Sequence, residues 1–187
     1  KYDIPKFKLI RRLKASFLIA KYYVYWNLLK ADEKNYRKRF SELPFKIEFY
    51  ANLKQIDLFH IQFAVAGINL AKMKAIGLIK AKLITTFHGY DAHYKDDNEL
   101  ESLQSRYKTL LRFSDYITVN TPYLEKNVQK LGTDTKKIVV IPMGIDINFF
   151  QKNSRAEFSF KNQINLLSIG RLIEFKGFQY AIHAVKQ

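Results

Sequence analysis

The 187-residue chain contains no cysteine, which excludes disulfides and thiolate metal sites and fits a reducing compartment. No apolar run approaches the roughly 20 residues needed to span a bilayer. No small-residue cleavage site of the kind that ends a signal peptide is present either. Glycine is scarce, at seven residues, and the sequence has no Gly-rich phosphate loop, Walker-type motif or Ser-His-Asp arrangement. No spacing of His, Asp and Glu looks like a metal site; no cofactor is expected. Acidic residues are few, 17 against 32 Lys and Arg, which leaves a formal net charge of +15. An anionic partner is therefore expected, whether a phosphate-bearing small molecule, an anionic lipid or nucleic acid. Apolar residues (48%) and aromatics (15%) are plentiful, ample for a packed core and against global disorder.

The charge is uneven. Residues 1–40 hold twelve basic residues against three acidic ones, Asp3, Asp32 and Glu33, a surplus of nine. Between Phe7 and Leu29 basic residues alternate with aromatics, and Leu18, Tyr22, Tyr25 and Leu29 recur at helical spacing. Such a segment fits two arrangements: an amphipathic helix on an anionic membrane surface, or a pair of cationic helices packed on a sheet.

From Ile56 the pattern becomes alternating strand and helix. Short β-rich runs fall at Ile56–Ile61, Lys82–Phe87, Tyr116–Asn120 and Lys137–Ile141. Helical patterns fall at Ala64–Ile76, before Gly77, and at Asn98–Phe113. A third starts at Thr121, a capping residue with Pro122 in the first turn, and ends at Gly132. This alternation predicts an α/β, Rossmann-like parallel sheet with flanking helices. Four segments are expected. Residues 1–55 form a basic helical part and 56–150 the Rossmann-like core; 151–163 is a linker, and 164–187 opens a second domain with strand Ile164–Ile169 and a helix over Phe178–Val185.

Three motifs end on strand-to-helix turns, where open α/β sheets bind ligands. In Thr85-Thr86-Phe87-His88-Gly89-Tyr90-Asp91, His88 can donate to a sugar hydroxyl or a phosphate and Gly89 lets backbone approach closely; a turn histidine satisfied by backbone is the plainer reading. Pro142-Met143-Gly144-Ile145-Asp146 reads as a turn, with Gly144 at its bend and Asp146 able to cap the next short helix. In Gly170-Arg171-Leu172, followed by Lys176-Gly177, a planar guanidinium and a compact ammonium suit a diphosphate, unless both are merely solvated. Asp57 and His60 lie on the first clear strand.

Taken in order, D-x-x-H-I-Q, T-x-F-H-G-Y-D, T-P-Y-L, K-I-x-V-I-P-x-G-I-D and I-G-R-L-x-x-x-K-G-F resemble GT4-type GT-B glycosyltransferases. The likeness is nearest to bacterial exopolysaccharide enzymes of the colanic-acid type and covers about Ile56 to Val185. It implies most of an N-terminal GT-B domain plus the first β-α element of the C-terminal one. It also implies sugar transfer from a nucleotide sugar to a saccharide or lipid-linked acceptor, with retained configuration and no obligatory metal. By the same likeness His88 faces the donor sugar as the catalytic residue, and Arg171 and Lys176, with Gly170, hold the donor diphosphate. Gly89, Asp91, Gly144 and His60 stand at the site's edge. The sequence also departs from the family pattern. Gln62 stands where many relatives have a second histidine, and Asn120-Thr121 replaces a more usual serine. The upstream Gly-rich acceptor loop and the downstream paired glutamates are absent. The expectation is therefore a piece of a longer cytoplasmic enzyme, peripheral on the inner membrane face and not competent alone. The rival is a non-catalytic membrane-surface binding module; nucleic acid is not expected as a partner, for no recognised module is visible.

Overall fold

The alternation after residue 56 folds as a four-stranded, wholly parallel sheet in the order β1-β2-β3-β4. The strands are β1 (Leu58–Gln62), β2 (Lys82–Phe87), β3 (Tyr116–Val119) and β4 (Ile138–Val140). Helices α1 (Lys8–Lys21), α2 (Tyr23–Leu29), α3 (Tyr36–Ser41) and α4 (Leu43–Ala51) precede the sheet. Helices α5 (Ala64–Ala75), α6 (Asp97–Phe113) and α7 (Pro122–Lys130) connect its strands, and α8 (Phe178–Lys186) ends the chain. The computed structural model describes residues 2–150 and 166–186. It divides into two units, Lys1–Gly144 and Ile145–Gln187. The expected linker, residues 151–163, lies outside the described residues.

Strand polarity explains why one face of the sheet is core. Successive parallel strands joined by right-handed crossovers to the next neighbour place every connecting helix on the same side. That side carries Ile61, Leu83, Phe87, Ile117 and Val119, which pack with Tyr107 and Leu110 of α6 and Leu124 and Val128 of α7. Gly67 lets α5 approach closely, since a Cβ there would lie 2.7 Å from Leu110 Cδ1 and 3.0 Å from Ile61 Cδ1. The opposite pleat of β1 to β3 carries Leu58, His60, Gln62, Thr86, Tyr116 and Thr118. Leu58 and Tyr116 are about half exposed there.

The basic segment is not one helix. It breaks at Tyr22, whose φ of −116° and ψ of 32° leave the helical region. The expected face is nonetheless the buried one. Leu18 packs with Ala15 and Phe45, while Leu29 packs with Leu43, Ile47 and Met73. These helices therefore rest on α4 and the α5 end of the core, in a cluster that reaches the sheet at Phe59 of β1. The aromatics also turn inward: Trp26 Nε1 donates to the Arg39 carbonyl at 3.1 Å, and Tyr22 and Tyr25 join the same cluster. Tyr23 is largely exposed, as are Phe7, just before α1, and Phe17 on it.

At the N-terminal end of the sheet, Asp115 gathers Lys74 of α5, Lys82 (3.1 Å) and the Leu83 amide (2.8 Å). Partial burial pushes its carboxyl upward, but the hydrogen bonds from Lys74, Leu83 and Lys82 outweigh this and hold it at about 2. A carboxyl whose folded value lies below its unfolded 3.8 contributes stability that is complete above about pH 5 and lost as pH falls toward 2. Asp115→Asn should therefore lower unfolding free energy at pH 7 by about 1–2 kcal/mol. Urea titrations should show the gap closing as pH falls to about 2.5; a gap independent of pH would contradict the pairing.

In the second unit α8 forms as expected, beginning at Phe178 directly after Gly177. The expected strand is not formed over its described part: Leu166–Ile169 pairs with no other strand, and Leu166, Leu167 and Ile169 are exposed. A strand is completed by its neighbours' N–H and C=O groups, and the described part of this unit holds none. Residues 164 and 165 lie outside the described residues.

Candidate functional site

The polar residues of the sheet's open face converge at the C-terminal strand ends. His60 and Gln62 share a face because they are two apart on β1. Thr86 pairs in register with Gln62 on one side and Thr118 on the other. Their side chains form one continuous chain of contacts. His88 Nε2 lies 2.7 Å from Gln62 Oε1, and Gln62 Nε2 lies 3.1 Å from His60 Nε2. His60 Nε2 is 2.8 Å from Thr86 Oγ1, which is 2.6 Å from Thr118 Oγ1. These residues, with Asn120 and the turn Ile141–Gly144, line a cleft of about 370 Å³. Parallel strands are ordinarily apolar on both faces, so a row of His, Gln and Thr at alternate positions is the signal that sequence reading overlooked in Gln62, Thr86 and Thr118.

His88 is held from three directions. Gln62 takes one ring nitrogen, and the Phe63 ring packs on the imidazole with centroids 4.4 Å apart. Phe63 adopts a φ of +68°, a left-handed conformation that costs a non-glycine residue about 1–3 kcal/mol and is typically kept at functional sites. The backbone is fixed from behind by Asp91. Its Oδ1 accepts from the amides of His88 (2.9 Å) and Gly89 (3.1 Å), and its Oδ2 accepts from the Ala64 amide (2.9 Å). Asp91 is buried, so its carboxylate organises the turn and does not line the cleft. Gly89 has a φ of +109°, which only glycine adopts without strain.

The structure brings His60, His88 and Gly144 into one cleft, with Gly89 in the turn beside it. Gly144 has no close neighbour that a Cβ would strike. Gly170, Arg171 and Lys176 belong to the second unit. There Gly170 makes room for Phe178, whose Cζ would lie 3.1 Å from an added Cβ. Lys176 ends a 3-10 turn before α8, and both cations are exposed. Asp146 accepts from the amides of Asn148 and Phe149 in a turn, where a short helix was expected. Among the described residues no cluster of His, Asp and Glu could hold a metal.

A model of one family, Glycosyltransferase Family 4, matches residues 20–149. That span covers most of the chain and the whole of the cleft. The chain belongs to Glycosyltransferase Family 4. Among curated family relatives, it is 31% identical over 131 residues to the "Putative colanic acid biosynthesis glycosyltransferase WcaL" of Escherichia coli (strain K12). It is 27% identical over 130 residues to the "Amylovoran biosynthesis glycosyltransferase AmsK" of Erwinia amylovora. Each match takes in 70% of this chain but 31% of the relative. The chain thus spans less than a third of the length of these family members.

Proposed function

We propose that the longer protein to which this family segment corresponds transfers a sugar from a nucleotide sugar to a saccharide or lipid-linked acceptor in cell-surface polysaccharide synthesis. The observation that carries this reading is the cleft at the strand C-termini, with His88 fixed at its edge by Gln62, Phe63 and the Asp91-bound turn. That position suits a side chain meeting the donor sugar. Arg171 and Lys176, in the second unit, are the cations proposed to meet the donor diphosphate. Two cations brought to a leaving diphosphate stabilise its developing charge without an obligatory metal. Retention of configuration is the stereochemical outcome proposed, on the family likeness. Assaying the longer protein with UDP- and GDP-sugars for product linkage tests this; a folded, intact protein without transfer would favour a binding module.

A membrane surface is the second partner proposed, in a cytoplasmic, peripheral setting. No described helix is long and apolar enough to cross a membrane. Leu9, Leu13 and Phe17, at i, i+4 and i+8 on α1, are each about two-thirds exposed. They face away from the buried Ala15 and Leu18. Arg12 and Lys21 flank this apolar stripe. Each cation near an anionic bilayer adds about 1 kcal/mol, reduced by salt. Cosedimentation should show at least about tenfold tighter binding to anionic than to neutral vesicles. Leu13→Ser with Phe17→Ser should abolish it; equal binding to both vesicle types refutes the proposal.

A further inference from the structure

The row of contacts that ends at His88 fixes more than the ring's position. An amide has two unlike ends: its oxygen only accepts, and its nitrogen only donates. Gln62 presents the oxygen to His88 Nε2 at 2.7 Å and the nitrogen to His60 Nε2 at 3.1 Å. His88 Nε2 must then carry a proton to give. His60 Nε2 must be bare to receive one, and a neutral His60 carries its proton on Nδ1. With His60 Nε2 bare, the Thr86 hydroxyl 2.8 Å from it can only donate there, sharing the nitrogen's lone pair with Gln62. The Thr86 oxygen is left to accept from Thr118 at 2.6 Å.

We propose that Gln62 is a positioning residue that forces opposite tautomers on the two histidines, Nδ1–H on His60 and Nε2–H on His88. The Nδ1 of His88 is then its remaining nitrogen, and it can only accept. A ligand group that engages it must bring a proton. A sugar hydroxyl does so, whereas an ionised phosphate oxygen has none to give. Resting on the proposed role of His88 at the donor sugar, the inference narrows that contact to a hydroxyl group. The strained Phe63 backbone fits this role, because it keeps the Phe63 ring against the imidazole that Gln62 orients.

The test is nitrogen NMR of this chain at about pH 8.5, where imidazoles are ordinarily neutral. Long-range proton–nitrogen correlations report which ring nitrogen carries hydrogen. The expected wild-type result is a protonated Nδ1 on His60 and a protonated Nε2 on His88. In Gln62→Glu both ends of the side chain accept, so His60 should switch to Nε2–H while His88 stays as it is. Gln62→Met removes both partners and should leave each ring a mixture of tautomers. The same tautomer on both wild-type rings, the reversed pair, or a His60 tautomer unmoved by Gln62→Glu overturns the proposal. The readout needs no turnover: opposite tautomers in a protein that transfers no sugar would uphold Gln62 and reject the enzymatic reading alone.

Discussion

Asp91→Ala is expected to destabilise the Lys1–Gly144 unit by about 3–5 kcal/mol, because three backbone donors lose a charged acceptor at once. Each hydrogen bond to a charged group is worth about 1.5–3 kcal/mol, and the losses overlap because the donors share one carboxylate. Against a typical total of about 5–15 kcal/mol, that is a large fraction. Two of the donors shape the turn carrying His88. The third is the Ala64 amide at the start of α5, where a negative charge also meets the helix dipole. Asp91→Asn retains one acceptor oxygen and should lose about half as much. Urea unfolding of the three proteins decides it. A loss below about 1 kcal/mol for the alanine variant would mean that solvent or other groups satisfy those amides.

The second large effect is catalytic. In the longer protein His88→Ala should lower turnover roughly a hundredfold, about 3 kcal/mol, the order of cost of losing one positioned polar contact to the substrate in the transition state. His88 is only partly buried and its backbone is held by Asp91, so the fold should survive the truncation. The effect should fall on kcat with the melting temperature nearly unchanged. Unchanged turnover in a folded His88→Ala variant would remove His88 from the site.

Much of this arrangement was legible in the sequence, for reasons that can be named. The α7 start was marked by Thr121, which accepts from the Leu124 amide, and by Pro122 in the first turn. Both are local signals. The face Leu18, Tyr22, Tyr25, Leu29 was also legible, since helical periodicity survives the break at Tyr22. Asp91 was not. Helix α5 has Phe63 at its N-cap and no side-chain cap of its own. Its capping carboxylate comes from a residue 27 positions on. The family likeness implies a place at the site's edge for Asp91, whereas its burial and its three amide contacts put it behind the turn. Gln62 was read as a missing histidine, because only strand register reveals that its two amide ends meet two histidines. The strand expected at Ile164–Ile169 rested on apolar content alone, and content supplies no pairing partner for Leu166–Ile169.

The central proposal is that the longer protein acts on a nucleotide sugar, with Arg171 and Lys176 meeting its diphosphate. Calorimetric titration of the longer protein with UDP- and GDP-sugars tests it most directly. Each single alanine variant should weaken binding about tenfold or more, since a hydrogen bond to a charged group contributes roughly 1.5–3 kcal/mol. Arg171→Lys should restore only part of the loss, because the planar fork of donors is gone. Heat of binding with one nucleotide sugar in the wild type, lost in the Arg171→Ala, Lys176→Ala double variant, is the predicted result. Wild-type affinity in that double variant would contradict it.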